Sequence, residues 1–215
     1  MMNNVFDKID LNNIKGVLID LDDTLYSYEE CNKIAYEKCK ELAVKKYKIN
    51  SIDFDNFLKS SRKKINETLI HQAASHSRLL YFHILHESIF GTSNPAFALE
   101  MEENYWNTFL ENMKLYEECK LFLKKLKDKS ITSCIVTDLT TQIQMKKWIK
   151  LELDSYINFL VTSEEAGVEK PNAKIFEIAL NKLNLKANEV IMIGDNPNKD
   201  IEGAEKIGIK SYLIK

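Results

Sequence analysis

Three short apolar runs end abruptly on acidic or hydroxyl residues: Val17-Leu18-Ile19 before Asp20, Cys134-Ile135-Val136 before Thr137, and Val190-Ile191-Met192-Ile193 before Gly194-Asp195. Runs this short, rich in Val and Ile and without polar alternation, predict strands buried on both faces. Phe159-Leu160-Val161 and residues 209–214 add two more, enough for a five-stranded sheet. Helical periodicity fills the intervals at residues 121–126, 143–153, 175–183 and 201–207. Strands alternating with helices predict a parallel sheet covered on both sides, an α/β fold. From about residue 29 to 113 the pattern changes. Apolar positions recur at helical spacing (Ile34, Ala35, Cys39, Leu42, Ala43, then 69–89, then 97–110), and the one clear break is Gly91-Thr92-Ser93-Asn94-Pro95. The chain thus reads as an α/β core of residues 1–26 and 115–215 with an α-helical domain, 27–114, inserted after the first strand. The aromatic stripe Tyr81, Phe82 and Phe90 is expected in the core of that insertion.

Composition narrows the function classes. The chain is 45% hydrophobic and 29% charged, with Lys+Arg 30 against Asp+Glu 32. That is ample for a packed core and offers no basic excess to recruit nucleic acid. No apolar run approaches the roughly 18 residues of a membrane span, and the N-terminal MMNNVFDKIDLNN carries acids and Asn where a leader would be basic then apolar. A cytoplasmic protein that binds neither nucleic acid nor membrane is expected. Cys31, Cys39, Cys119 and Cys134 form no CxxC pair and are read as reduced thiols. Arg62 and Arg78 are the only arginines, which draws attention to them as bidentate anion binders.

Chemistry is concentrated in Asp20-Leu21-Asp22-Asp23-Thr24-Leu25, directly after the first strand. Two carboxylates two residues apart can serve as nucleophile and as general acid and base, and an acidic turn capping the strand is the competing reading. Three later segments add to it in order: Ile135-Val136-Thr137-Asp138, Val168-Glu169-Lys170-Pro171-Asn172, and Gly194-Asp195-Asn196-Pro197-Asn198-Lys199-Asp200. With all four in this sequence, the chain resembles a haloacid dehalogenase (HAD) superfamily phosphatase with a helical cap between the first and second motifs.

The resemblance implies a Rossmann-like core in which Asp20 attacks phosphorus and Asp22 protonates the leaving group. An aspartyl phosphate would form and then be hydrolysed with Asp22 as base. Thr137, Asp138 and Lys170 would hold the phosphoryl group. Mg²⁺ would be held by the Asp20 carboxylate, the Asp22 backbone carbonyl and the Asp195 carboxylate. Asp200 would support the metal through water or orient Lys170, and could also cap the helical pattern beginning at Ile201. Asp22 favours phosphate chemistry, since dehalogenases of the superfamily use the first Asp without needing an acid two residues on. One departure stands out: Tyr116-Glu117-Glu118-Cys119 replaces the Pro-Gly common at the second hinge.

Candidate readers of the leaving group are Tyr26, Ser27, His71, His76 and Arg78. His83 and His86 could share a helix face, but lack a third zinc ligand at good spacing. Residues 163–172 are similar to the matching stretch of house-cleaning pyrimidine nucleotidases. The expectation is a Mg²⁺-dependent phosphatase, monomer or homodimer, acting on a small phosphorylated metabolite such as a nucleotide or sugar phosphate. A phosphomutase, or a catalytically silent phosphate-sensing or scaffold protein of the same fold, are the alternatives.

Overall fold

The computed structural model describes residues 5–214. Of the N-terminal stretch read above against a leader, residues 1–4 lie outside that range, as does residue 215. The chain divides into two compact units, one of residues before Tyr28 and after Met113, the other Tyr28–Met113.

In the first unit, β1 (Gly16–Ile19), β2 (Thr132–Thr137), β3 (Phe159–Thr162), β4 (Val190–Gly194) and β5 (Lys210–Leu213) form one sheet in the order β3-β2-β1-β4-β5, with every pairing parallel. β1 and β4 are buried throughout, as their unbroken apolar runs require, whereas the edge strand β5 is half exposed and has no such run. Leu18, Cys134, Val136, Met192, Ile175 and Phe176 share one continuous core with Ala204 and Ile209. The strand order reverses at β1, which has β2 on one side and β4 on the other. Crevices at such reversal points, beyond the carboxyl ends of the strands, are where open parallel sheets bind ligands.

In the second unit, α1 (Tyr28–Tyr47) packs on α4 (Pro95–Glu111), α2 (Ser51–Thr68) on α3 (Arg78–Phe90), and α3 on α4. Side chains of Asn50, Ser77 and Asn94 accept backbone N–H bonds at the starts of α2, α3 and α4.

Two readings need correction here. Residues 69–89 are not one helical stretch: α2 ends at Thr68, His71 sits at φ 60°, and a 3₁₀ turn Ala73–His76 precedes the Ser77 cap. Leu69 and Ile70 continue the apolar spacing past the true end, with Ile70 exposed, so periodicity alone overran it. Tyr81 and Phe82 are core, but Phe90 is 47% exposed at the end of α3, its ring 4.6 Å from that of His86.

Helices of the first unit include α5 (Glu117–Asp128), α6 (Thr141–Lys150), α7 (Ser163–Ala166) and α8 (Ala173–Leu183). A wide π-type turn, Pro197–Glu202, follows β4. Among the described residues no helix is long and apolar enough to cross a membrane, and the four cysteines are free and buried.

Candidate active site

Parallel register sets the site. Ile19 lies opposite Ile193, and the Asp20 N–H donates to the Ile193 carbonyl at 2.9 Å, so the residues leaving β1 and β4 emerge side by side. Carboxylate oxygens of Asp20, Asp195 and Asp200 lie within 4.8 Å of one another. Lys170 Nζ donates to Asp20 at 2.5 Å, to Asp200 at 2.6 Å and to the Val136 carbonyl at 3.0 Å. The Thr24 hydroxyl donates to Asp20 at 3.1 Å and reaches toward Asp195 at 3.5 Å. Asp20, Lys170 and Asp200 are all buried.

Backbone geometry makes this clustering possible. After β1 the chain coils through one turn, the Leu25 N–H bonding to the Leu21 carbonyl, with Asp23 at φ 60°. After β4, Gly194 leaves room for Asp200: a Cβ there would stand 2.4 Å from a carboxylate oxygen of Asp200. Asp200 does not cap a helix at Ile201, as the sequence suggested. Asn196 is the cap, its side chain accepting from the N–H groups of Asn198 and Lys199, while Asp200 accepts the Asn196 N–H at 3.0 Å.

Thr137 ends β2, and its hydroxyl accepts from Gln144 Nε2 at 2.7 Å. Asp138 accepts the Lys170 N–H at 3.0 Å and the Lys199 ammonium at 2.7 Å. Leu139, next in the chain, is buried at φ 99°, a strained conformation for a branched side chain, and its N–H donates to Ser163. Asp22 stands outside the acidic trio. Lys147 Nζ donates to both its oxygens, at 2.8 and 2.7 Å, and the Tyr26 hydroxyl donates to it at 2.5 Å.

Lys147 and Gln144 escaped the sequence reading, as did the pairing of Lys199. The signal available was the amphipathic α6, whose inward face consists of Ile143, Gln144 and Lys147, the last two fully buried. A lysine on the apolar side of a helix demands a buried acid, but the sequence does not say which. Tyr26 is also fully buried, its hydroxyl donating to Asp22. Arg78 lies in the helical unit, where it lines a cavity. His83 pairs with Glu87 and His86 Nδ1 with the Thr92 carbonyl.

The electrostatics of the trio are unbalanced. Lys147 serves Asp22 and Lys199 serves Asp138, which leaves Lys170 alone among three carboxylates and two negative charges in excess. Burial, together with Asp200 and Asp22, pushes the Asp20 carboxyl well above the usual range against the pull of Lys170. Burial and the neighbouring Asp200 and Asp23 raise Asp195 as well. Burial works against the charged form of Lys170, but Asp20 and Asp200 outweigh it and keep the ammonium protonated. Three hard oxygen donors converging with a surplus of two negative charges fit a divalent cation such as Mg²⁺.

Comparisons with known proteins bear on the family of the chain. Residues 17–214 match the family described as haloacid dehalogenase-like hydrolase. The chain is 37% identical over 200 residues to the ribulose-1,5-bisphosphate 5-phosphatase of Halopiger xanaduensis, covering 93% of this chain and 84% of that one. It is 29% identical over 204 residues to the glyceraldehyde 3-phosphate phosphatase of Methanocaldococcus jannaschii, covering 94% and 85%. Among solved structures, a HAD phosphatase from Thermococcus onnurineus is similar in fold, with a TM-score of 0.72, 22% identity and coverage of 94% and 86%. A 2-haloacid dehalogenase from Pseudomonas syringae pv. Tomato gives 0.73, 22%, 93% and 86%. Matched along nearly its whole length, with acids, hydroxyl and lysine gathered at the strand ends, the chain belongs to the haloacid dehalogenase-like hydrolase family.

Proposed function

We propose that this protein is a Mg²⁺-dependent phosphatase that hydrolyses a small sugar phosphate through an aspartyl phosphate on Asp20. The observation that carries the reading is the trio Asp20, Asp195 and Asp200 around a single lysine, with Lys170 Nζ 2.5 Å from the Asp20 carboxylate. Asp20, Asp195 and Asp200 would hold the ion, with the Asp22 carbonyl as a further ligand by family resemblance. When bound, Mg²⁺ neutralises charge on the nucleophile and on the phosphoryl oxygens.

The remaining steps belong to the chain. Asp20 is fixed by Lys170 and Thr24 for in-line attack, and its approach to a phosphate dianion depends on the charge that Lys170 supplies. The Thr137 hydroxyl accepts from Gln144 and donates to the Asp138 carbonyl at 3.3 Å, so its O–H must turn from that carbonyl to serve a phosphoryl oxygen. Asp22 acts as acid and then as base. The paired bonds from Lys147 suit its carboxylate form, which the second half-reaction needs to take a proton from water. The first half-reaction needs the protonated form, for which Asp22 must give up part of this pairing with Lys147. The helical unit is proposed to read that leaving group. A sugar phosphate is preferred to a nucleotide because the relatives named above act on a ribulose bisphosphate and a triose phosphate.

The test is hydrolysis of a chromogenic phosphomonoester with and without Mg²⁺, beside Asp20→Asn. Turnover should require Mg²⁺ and fall by about 10⁴-fold or more in the variant, as expected when a covalent nucleophile is lost. Turnover that survives in Asp20→Asn removes the nucleophile, and metal-independent turnover removes the proposed role of the trio.

A further inference from the structure

Inside the helical unit is a cavity of about 180 Å³ between α1, α2, α3 and α4, lined by both of the chain's arginines and by Lys59. Arg78 is buried. Its Nη1 donates to the His76 carbonyl at 2.7 Å, and its Nη2 to the Tyr105 hydroxyl at 3.2 Å and to the Tyr28 hydroxyl. The guanidinium stands 5.6, 5.1 and 5.2 Å from the ring centres of Tyr81, Tyr105 and Trp106. Every one of these partners is neutral. A guanidinium has five N–H donors, so Nε and one N–H of Nη1 are left without an acceptor among the described residues.

Arg62 and Lys59 lie on the cavity-facing side of α2 and are exposed. Asp55 is the one acid lining the cavity, and it is taken up by Lys40 and the Tyr36 hydroxyl, each at 2.6 Å. A buried guanidinium without a carboxylate is a costly arrangement. Two spare N–H groups with two further cations around one small space match a tetrahedral dianion better than a carboxylate, since guanidinium groups bind phosphate oxygens in pairs.

We propose that this cavity binds a phosphate group through Arg78, with Arg62 and Lys59 supplying charge beside it. The phosphate has two possible sources: the non-transferring phosphate of a bisphosphorylated sugar substrate, or a separate phosphorylated effector. The first source rests on the phosphatase reading; anion binding does not.

Trp106, against Arg78, reports on the cavity once Trp148→Phe makes it the sole tryptophan. Titrating that full-length protein with sulfate should give a saturable fluorescence change. Its midpoint should rise at least about tenfold in Arg62→Gln, an exposed position that does not endanger the fold, and in Arg78→Met. In parallel, kcat/KM is measured for a sugar bisphosphate and the matching monophosphate. A fall of about tenfold in their ratio in Arg62→Gln assigns the cavity to the substrate. An unchanged ratio with weakened sulfate binding assigns it to an effector. The proposal is overturned if sulfate gives no saturable change, or gives one with the same midpoint in both arginine variants. Absence of all phosphomonoester turnover alongside the expected sulfate response would sink the phosphatase reading and leave the anion site standing.

Discussion

At the scale of single residues, Lys147 has the largest consequence that sequence inspection did not reveal. It is fully buried and holds both oxygens of Asp22, which keeps about a quarter of its side-chain exposure. Lys147→Met should destabilise the fold by about 3 kcal/mol, the low edge for a broken buried pair because water still reaches Asp22. It should also lower kcat by about 100-fold, the lower range for a displaced acid-base group, with a smaller change in KM. Chemical denaturation and steady-state kinetics check the two parts separately. Gly194 is the second such residue. In Gly194→Ala the new methyl meets the Asp200 carboxylate, which must shift away from Lys170. Since displacements near 1 Å at a reacting centre cost about 100-fold, kcat should fall by about that factor while the far-UV spectrum stays native. Retained activity would mean that Asp200 has freedom which its contacts do not suggest.

Elements differ in how openly the sequence announces them. The central strands β1 and β4 were legible because burial on both faces leaves an unbroken apolar run ending in an acid, and the acid was itself the candidate ligand. β5 was weaker, since an edge strand needs no such run. The end of α2 was misread because Leu69 and Ile70 sustain the helical period beyond Thr68, and the turn of the wide loop after β4 was assigned to Asp200 when Asn196 makes the capping bonds. Asp20 was legible from its place at a strand end, whereas Asp195, Asp200 and Lys170 entered through the resemblance carried by the four motifs in order. The α6 contribution was not, because Gln144 and Lys147 meet Thr137 and Asp22 only through the register of β1 and β2.

For the whole molecule, buried ionisable groups set the response to alkali. Burial pushes the thiols of Cys39, Cys119 and Cys134 up to about 12 from an ordinary 9.0. Between those values the unfolded chain has released these protons and the folded chain retains them. Stability is therefore complete below about pH 9 and declines as pH rises, by about 1.4 kcal/mol per thiol per pH unit. Thermal melts from pH 8 to 11 should show a steep fall in Tm, less steep in Cys119→Ala after allowance for its lower starting stability. Thiol reagents at pH 8 should react with the folded protein far more slowly than with the denatured chain.

The two surplus negative charges of the acidic trio bear on the whole account, and calorimetric titration with Mg²⁺ tests them most directly. One ion should bind per chain, and binding should be abolished in Asp195→Asn, whose fold is verified by its melt. No binding to the wild-type protein, or binding that persists undiminished in Asp195→Asn, would contradict the assignment of Asp20, Asp195 and Asp200 as a metal-assisted phosphoryl-transfer site.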